Sequence, residues 1–333
     1  MKRRPVDPPR SYAPLAFALG LCALGAGSCG RPFDPYNRLT SFRVLALAAS
    51  PSNPGPGETT TLSAVTYLPE VGPSQGTAIP GVTFAWSWCP FPGTADNGYA
   101  CPITPDQVAM FAAAGVTLPP LDLGTAPTAT FTHSIPAAAL AQLCTGSAAM
   151  PAVADCDGGF PVEVKARIKT ATDEIVSVYT LRLRFDPATT TNTAPTIDGI
   201  AATISEAPGV AAHDVPVSAD AAVPIVRDEK TTIKVSVPLT AVESYVGKND
   251  DLQVTTVKER LTLTWFVESG DTESDRTGYI DGGMFERALT NKWTPQKTVD
   301  YPKPTARVVV IVRDNRGGVA WRDGAVTLVE PKQ

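Results

Sequence analysis

The sequence predicts an all-β protein made of two β-sandwiches in tandem. Three observations carry this reading. Apolar and polar residues alternate in short runs, the period of a half-buried strand. Turn formers are dense, with 32 prolines and 26 glycines in 333 residues, so the runs stay short. The strand pattern also stops once, in a Thr- and Pro-rich stretch, and then starts again. A chain of this length fits two domains.

The first sandwich is read at residues 39–187. It opens with SFRVLALAAS, a turn-rich PSNPGPG, and ETTTLSAVTYL. VTFAWSW follows, with Val82, Phe84, Trp86 and Trp88 on one face and Thr83, Ala85 and Ser87 on the other. Residues 89–127 read as an insertion, in which TPDQVAMFAAAG forms a helix starting near Thr104. TATFTHS reads as a further strand and IPAAALAQLC as a second helical turn or two. FPVEVKARIKTATDEIVSVYTLRLRF closes the domain as two strands around a Thr/Asp turn.

DPATTTNTAPT has no apolar period, so residues 188–196 read as a linker that permits several inter-domain angles. The second sandwich is read at 197–331. In RLTLTWFVES, Leu261, Leu263, Trp265 and Val267 share a face. Residues 270–304 read as a second irregular insertion. ARVVVIVRDNRGGVAWRDGAVTLVE ends the chain as a hairpin turning at Asn315–Gly318.

The halves look like diverged copies: GETTTLSAV answers DEKTTIKVSV, and a Trp-bearing strand follows each. This order resembles bacterial immunoglobulin-like (Ig-like) and polycystic-kidney-disease-type sandwiches. In those families a Trp on the third strand fills the core, and the last two strands carry a pattern like VVVIVRDNRGG. The antibody-type cysteines are missing from ETTTLSAVTYL, so the resemblance implies an Ig-like fold and not an antibody domain. The whole chain also resembles lipoproteins of soil deltaproteobacteria, a likeness that brings no activity with it.

The N-terminus carries the export logic. MKRRPVDPPR is basic, and an apolar run follows from Ala13 to Gly27. The run is shorter than the roughly 20 residues a membrane-spanning helix needs. Its end, Ala26-Gly27-Ser28-Cys29, resembles a bacterial lipobox, with Ala26 where that family usually has Leu. The resemblance implies a signal peptide at 1–28, lipidation of Cys29, and a tether at 29–38. The competing reading is cleavage by ordinary signal peptidase after a small residue such as Gly27 and free secretion, which leaves five cysteines and one thiol over; cysteine parity favours lipidation. With Cys22 removed and Cys29 acylated, four cysteines remain and can pair completely. Gly30 follows Cys29 in place of the Asp linked to inner-membrane retention, which resembles the outer-membrane class.

Removing residues 1–28 leaves 24 basic and 32 acidic side chains, a net charge of about −8. An acidic chain without a Lys/Arg cluster is a poor ligand for phosphate backbones, which argues against nucleic acid as a partner. Cys89 and Cys101 are 12 apart, as are Cys144 and Cys156. Local pairing of each is favoured, with the cross pairing open. Metal binding by closely spaced cysteine pairs is excluded by this spacing.

Asp155 and Asp157 in ADCDGG are a weak calcium candidate, since Ala166 stands where the twelfth-position Glu is needed. Glu268, Asp271, Glu273 and Asp275 read as a solvated loop. Trp86 and Trp265 read as core, and Trp88, Trp293 and Trp321 as possible binding-loop aromatics. His133 and His213 lack a nucleophile motif around them. The expectation is therefore a non-catalytic lipoprotein without cofactors, anchored to the membrane and contacting another envelope or surface protein. Carbohydrate or peptidoglycan binding and a carboxylate-based hydrolase are the alternatives.

Overall fold

Strand β4 (Thr83–Cys89) shows how the local pattern becomes structure. Phe84, Trp86 and Trp88 are buried and point into one core, while the intervening residues face outward. The same two-residue period recurs along the chain in this computed structural model. It describes residues 35–113, 115–145, 156–186, 189–205, 210–218, 223–249, 251 and 253–331. The signal-peptide segment and Cys29 lie outside the described residues.

The first sandwich contains eight strands among the described residues. One sheet pairs β1 (Arg43–Ser50) with β2 (Thr59–Leu68), whose other edge is shared by β3 (Gly72–Gln75) and β6 (Thr128–Thr132). The facing sheet runs β5 (Asp122–Gly124), β4, β7 (Phe160–Lys169), β8 (Glu174–Leu183). In strand letters this is A-B-E against C′-C-F-G, the order of an Ig-like sandwich. Helices α1 (Pro105–Ala113) and α2 (Ala137–Thr145) lie between strands.

The second sandwich repeats the plan. One sheet runs β10 (His213–Val217), β9 (Gly199–Ile204), β12 (Thr231–Ser236), β18 (Thr290–Thr294), β16 (Asp271–Thr272). The other runs β11 (Val223–Val226), β20 (Val319–Val329), β19 (Thr305–Asp314), β15 (Leu261–Val267), β17 (Arg276–Tyr279). β11 lies parallel to β20, so the first strand region contributes to both sheets. A separate hairpin, β13 (Ser244–Lys248) with β14 (Val254–Lys258), precedes β15. Residues 270–304 are not irregular: they hold β16, β17, β18 and the short helix α3 (Phe285–Ala288). Trp265 is fully buried in this second core and donates its indole N–H to Thr277 Oγ1 at 3.0 Å.

The two sandwiches share a buried face. In β19, Val308, Val310 and Val312 enter the second core, while Val309 and Ile311 point the other way. There they meet Phe266 together with Leu39, Leu45, Ala46, Val65 and Tyr67. A bulge between Val44 and Ala46 turns both Leu45 and Ala46 toward this face. Polar contacts seal the rim. Tyr67 Oη donates to Glu268 Oε1 at 2.6 Å, and Arg313 Nη2 to the Leu45 carbonyl at 2.7 Å. Tyr179 Oη donates to the Gly317 carbonyl at 2.6 Å. Residues 37–333 consequently form one compact unit.

Two expectations change with this. The linker does not leave the angle open. Asn192 is buried, and its N–H donates to Asn53 Oδ1 at 2.9 Å; the Thr190 carbonyl accepts from Arg316 Nη2 at 2.6 Å. The end of the tether is also stitched down, because Leu39 N–H donates to the Val267 carbonyl and Val267 N–H to that of Asn37.

Candidate interaction surface

The disulfide-braced end of the first sandwich is built from local chemistry. β4 ends at Cys89, which bonds to Cys101; Cys144 bonds to Cys156. Both are the local pairings. Each closes a loop whose constraint contributes roughly 3 kcal/mol in the chain-entropy picture. Gly93 has no room for a Cβ, which would stand 2.7 Å from the Ala100 carbonyl oxygen. Lys165 Nζ donates to the Tyr99 carbonyl at 2.8 Å and fixes the loop to β7. Glu163 is buried under the loop, and that burial raises its pKa above the ordinary value.

The loop delivers the chain to α1. Thr104 and Gln107 form a reciprocal cap: Thr104 N–H donates to Gln107 Oε1 at 2.9 Å and Gln107 N–H to Thr104 Oγ1 at 3.3 Å. Pro105 fits the first helical turn, where its missing N–H costs nothing. The helix is apolar yet none of its described residues is buried, and Met110 is 70% exposed. Beside it runs a groove of about 480 Å³ lined by Phe91, Pro102, Ile103, Gln107, Met110 and Phe111. Phe91 anchors the groove floor through an edge contact with Phe160. A second trough of about 480 Å³ lies along β9 and β12, but its Lys234 and Asp214 are already paired at 2.7 Å.

The aromatics singled out from sequence do not form a platform. Trp88 and Trp293 are fully buried, which corrects their reading as binding-loop residues. Each sits inside a strand with its indole N–H satisfied, Trp88 by the Pro120 carbonyl and Trp293 by that of Ser269. Trp321 is half-buried against the shared face and donates to Gln75 Oε1. Of the calcium candidates, Asp155 lies outside the described residues. Asp157 accepts the Lys248 N–H at 3.3 Å, and no cluster of three metal-ligating side chains occurs among the described residues. Glu268 is not a solvated loop acid: it accepts from Tyr67 Oη, Tyr301 Oη and the Arg307 N–H.

The histidines are likewise engaged in structure. His133 is buried, burial holds its pKa below the ordinary value, and its Nε2 faces the Arg184 carbonyl at 3.1 Å. His213 opens β10, and the adjacent Asp214 accepts from Lys234 Nζ and Thr203 Oγ1.

A polar joint that the sequence did not announce sits at the β19–β20 turn. Arg316, 3% exposed, places Nη1 at 3.2 Å from both Glu243 and Glu259 and stacks 4.8 Å from the Tyr245 ring. Asp314 accepts the N–H groups of Arg316 and Gly318 and the Asn192 amide. Burial, followed by the charge of Asp314, pushes Glu259 up to about 7; burial also raises Asp314. DNRG reads locally as turn formers only, whereas Arg260, Glu259 and Asn192, which its side chains also engage, lie 55 or more residues away in the chain.

No family model matches the sequence, and no curated protein matches it. Solved structures of Ig-like proteins align with most of the chain at low similarity. A chimeric titin Z1Z2 tandem is 10% identical over 87% of this chain and all of its own, with a TM-score of 0.28. Murine CEACAM1b is 7% identical over 86% of this chain and all of its own, with a TM-score of 0.21. The Yersinia pseudotuberculosis adhesin InvE is 12% identical, covering 84% of this chain and 58% of the adhesin, with a TM-score of 0.19. The strand order itself assigns the chain: it is an all-β protein of two Ig-like sandwiches.

Proposed function

We propose that this protein is a non-catalytic interaction module of the bacterial cell envelope, held to the membrane through lipidated Cys29, in keeping with an outer-membrane lipoprotein. Its partner is another envelope or surface protein, which docks on the α1 end. The observation that carries this is an apolar helix with no buried residue, presented beside an apolar groove by a disulfide-braced loop. Exposed contiguous apolar surface of this kind marks contact sites, and loops on a stiff sheet are where binding usually sits. Arg316 and backbone N–H donors hold the acids at the joint, in keeping with a structural role for them.

Met110→Asp tests the reading. It places a charge in the groove without touching a core, so the melting temperature stays unchanged. Affinity for the envelope partner falls by roughly tenfold or more, the loss of one well-packed apolar contact. Val299→Asp, at a site 85% exposed on the second sandwich, leaves affinity unchanged. Equal binding by Met110→Asp and wild type contradicts the docking site. Mass spectrometry of the natively expressed chain tests the anchor: a diacylated thioether at Cys29 supports it, and an unmodified thiol there contradicts it.

A further inference from the structure

The joint between the sandwiches gathers three carboxyl groups around one guanidinium. Glu243 lies ahead of β13, Glu259 between β14 and β15, and Asp314 and Arg316 in the β19–β20 turn. Tyr245 covers Arg316 from β13, and Tyr179 reaches the turn from β8. Asp157 approaches the hairpin at Lys248, and Arg260 holds Asn315 through its backbone amide. Glu259 is fully buried and Asp314 nearly so. With all three acids ionised, this group carries two uncompensated negative charges, an arrangement that low-dielectric surroundings disfavour.

The same group fastens the linker. Arg316 Nη2 holds the Thr190 carbonyl, Asp314 holds the Asn192 side chain, and Glu243 accepts the Thr193 N–H at 3.3 Å. We propose that the joint is a proton-controlled latch: it grips the linker while one proton is held among Glu259, Asp314 and Glu243, and slackens when that proton passes to solvent.

The direction follows from linkage. In the open joint a hydrated Glu259 returns to its ordinary value of 4.5, whereas in the closed joint it stands at about 7. The closed form therefore holds the extra proton between these values. Closure is tightest at pH 4.5 and below, weakens as pH rises to 7, and levels off above it. Asp314 is shifted in the same direction and adds to the effect.

Amide hydrogen exchange of Asn192 and Thr193 reads the latch in the full mature chain. After correction for intrinsic rates, protection is expected to fall between pH 5.0 and 7.5 by up to about a hundredfold, the limit set by two pH units of linkage. Glu259→Gln, neutral at both pH values, is expected to flatten the profile at its acid level. Equal wild-type protection at the two pH values overturns the latch, as does an undiminished pH response in Glu259→Gln. The wild-type profile decides the matter alone if the variant folds poorly.

Discussion

Ile311→Asp is expected to destabilise the protein by about 5 kcal/mol, the largest effect of any single change considered. Ile311 is fully buried and belongs to neither sandwich core. Its removal forfeits about 2–3 kcal/mol of apolar burial. The carboxylate then faces Phe266 and the Leu39–Leu45 cluster, beside an Arg313 guanidinium that already donates to the Leu45 carbonyl and to Thr264 Oγ1, and leaving it dehydrated or forcing its protonation costs several kcal/mol more. Denaturant unfolding monitored by tryptophan fluorescence measures the loss. Ile311→Val, which keeps the face apolar, is expected to cost only about 1 kcal/mol. Near-equal stabilities for the aspartate and valine variants contradict a buried shared face.

Arg316→Ala is expected to cost about 3–5 kcal/mol at pH 7.5, the range for breaking a buried ion pair by removing one partner. The loss exceeds that of an ordinary surface arginine because the carboxyl of Glu259, fully buried, then keeps the Glu243 N–H as its one partner among the described residues. Thr190 also loses its guanidinium donor. The sign of the pH response is specific. At pH 5 Glu259, shifted to about 7, is protonated and needs no counter-charge, so the penalty shrinks there. Stability curves at pH 5 and 7.5 check this, and a penalty that grows on acidification contradicts it.

The parts of the fold legible from sequence were those that local periodicity encodes. Phe84, Trp86 and Trp88 alternate with polar residues, and they line a core. The Thr104–Gln107 cap and the glycine-rich turn after Asp314 carry their own chemistry. The shared face is absent from the sequence reading, although VVVIV carries a local signal for it. An unbroken apolar strand signals burial on both faces, and Val309 and Ile311 supply the second one.

Position along a strand proved a poor guide to exposure. Trp88 lies one residue from the end of β4 and Trp293 one from the end of β18, yet both are fully buried, because a neighbouring loop carbonyl satisfies each indole. The Thr- and Pro-rich linker separates local from distant causes in the same way. Its composition describes its local freedom, whereas its restraint comes from Asn53 and Arg316, each more than 120 residues away. The groove beside α1 depends in the same way on a loop path held by the Cys89–Cys101 bond and by Lys165, 66 residues from the Tyr99 carbonyl it binds.

Small-angle scattering of residues 37–333 tests the face-sharing architecture most directly. Sandwiches packed face to face are expected to give a radius of gyration of about 19 Å, the value for one compact body of this size. The radius is expected to stay the same when the salt concentration is raised. A value near 25 Å, roughly that of two domains of this size set 40 Å apart on a flexible connection, would contradict the account.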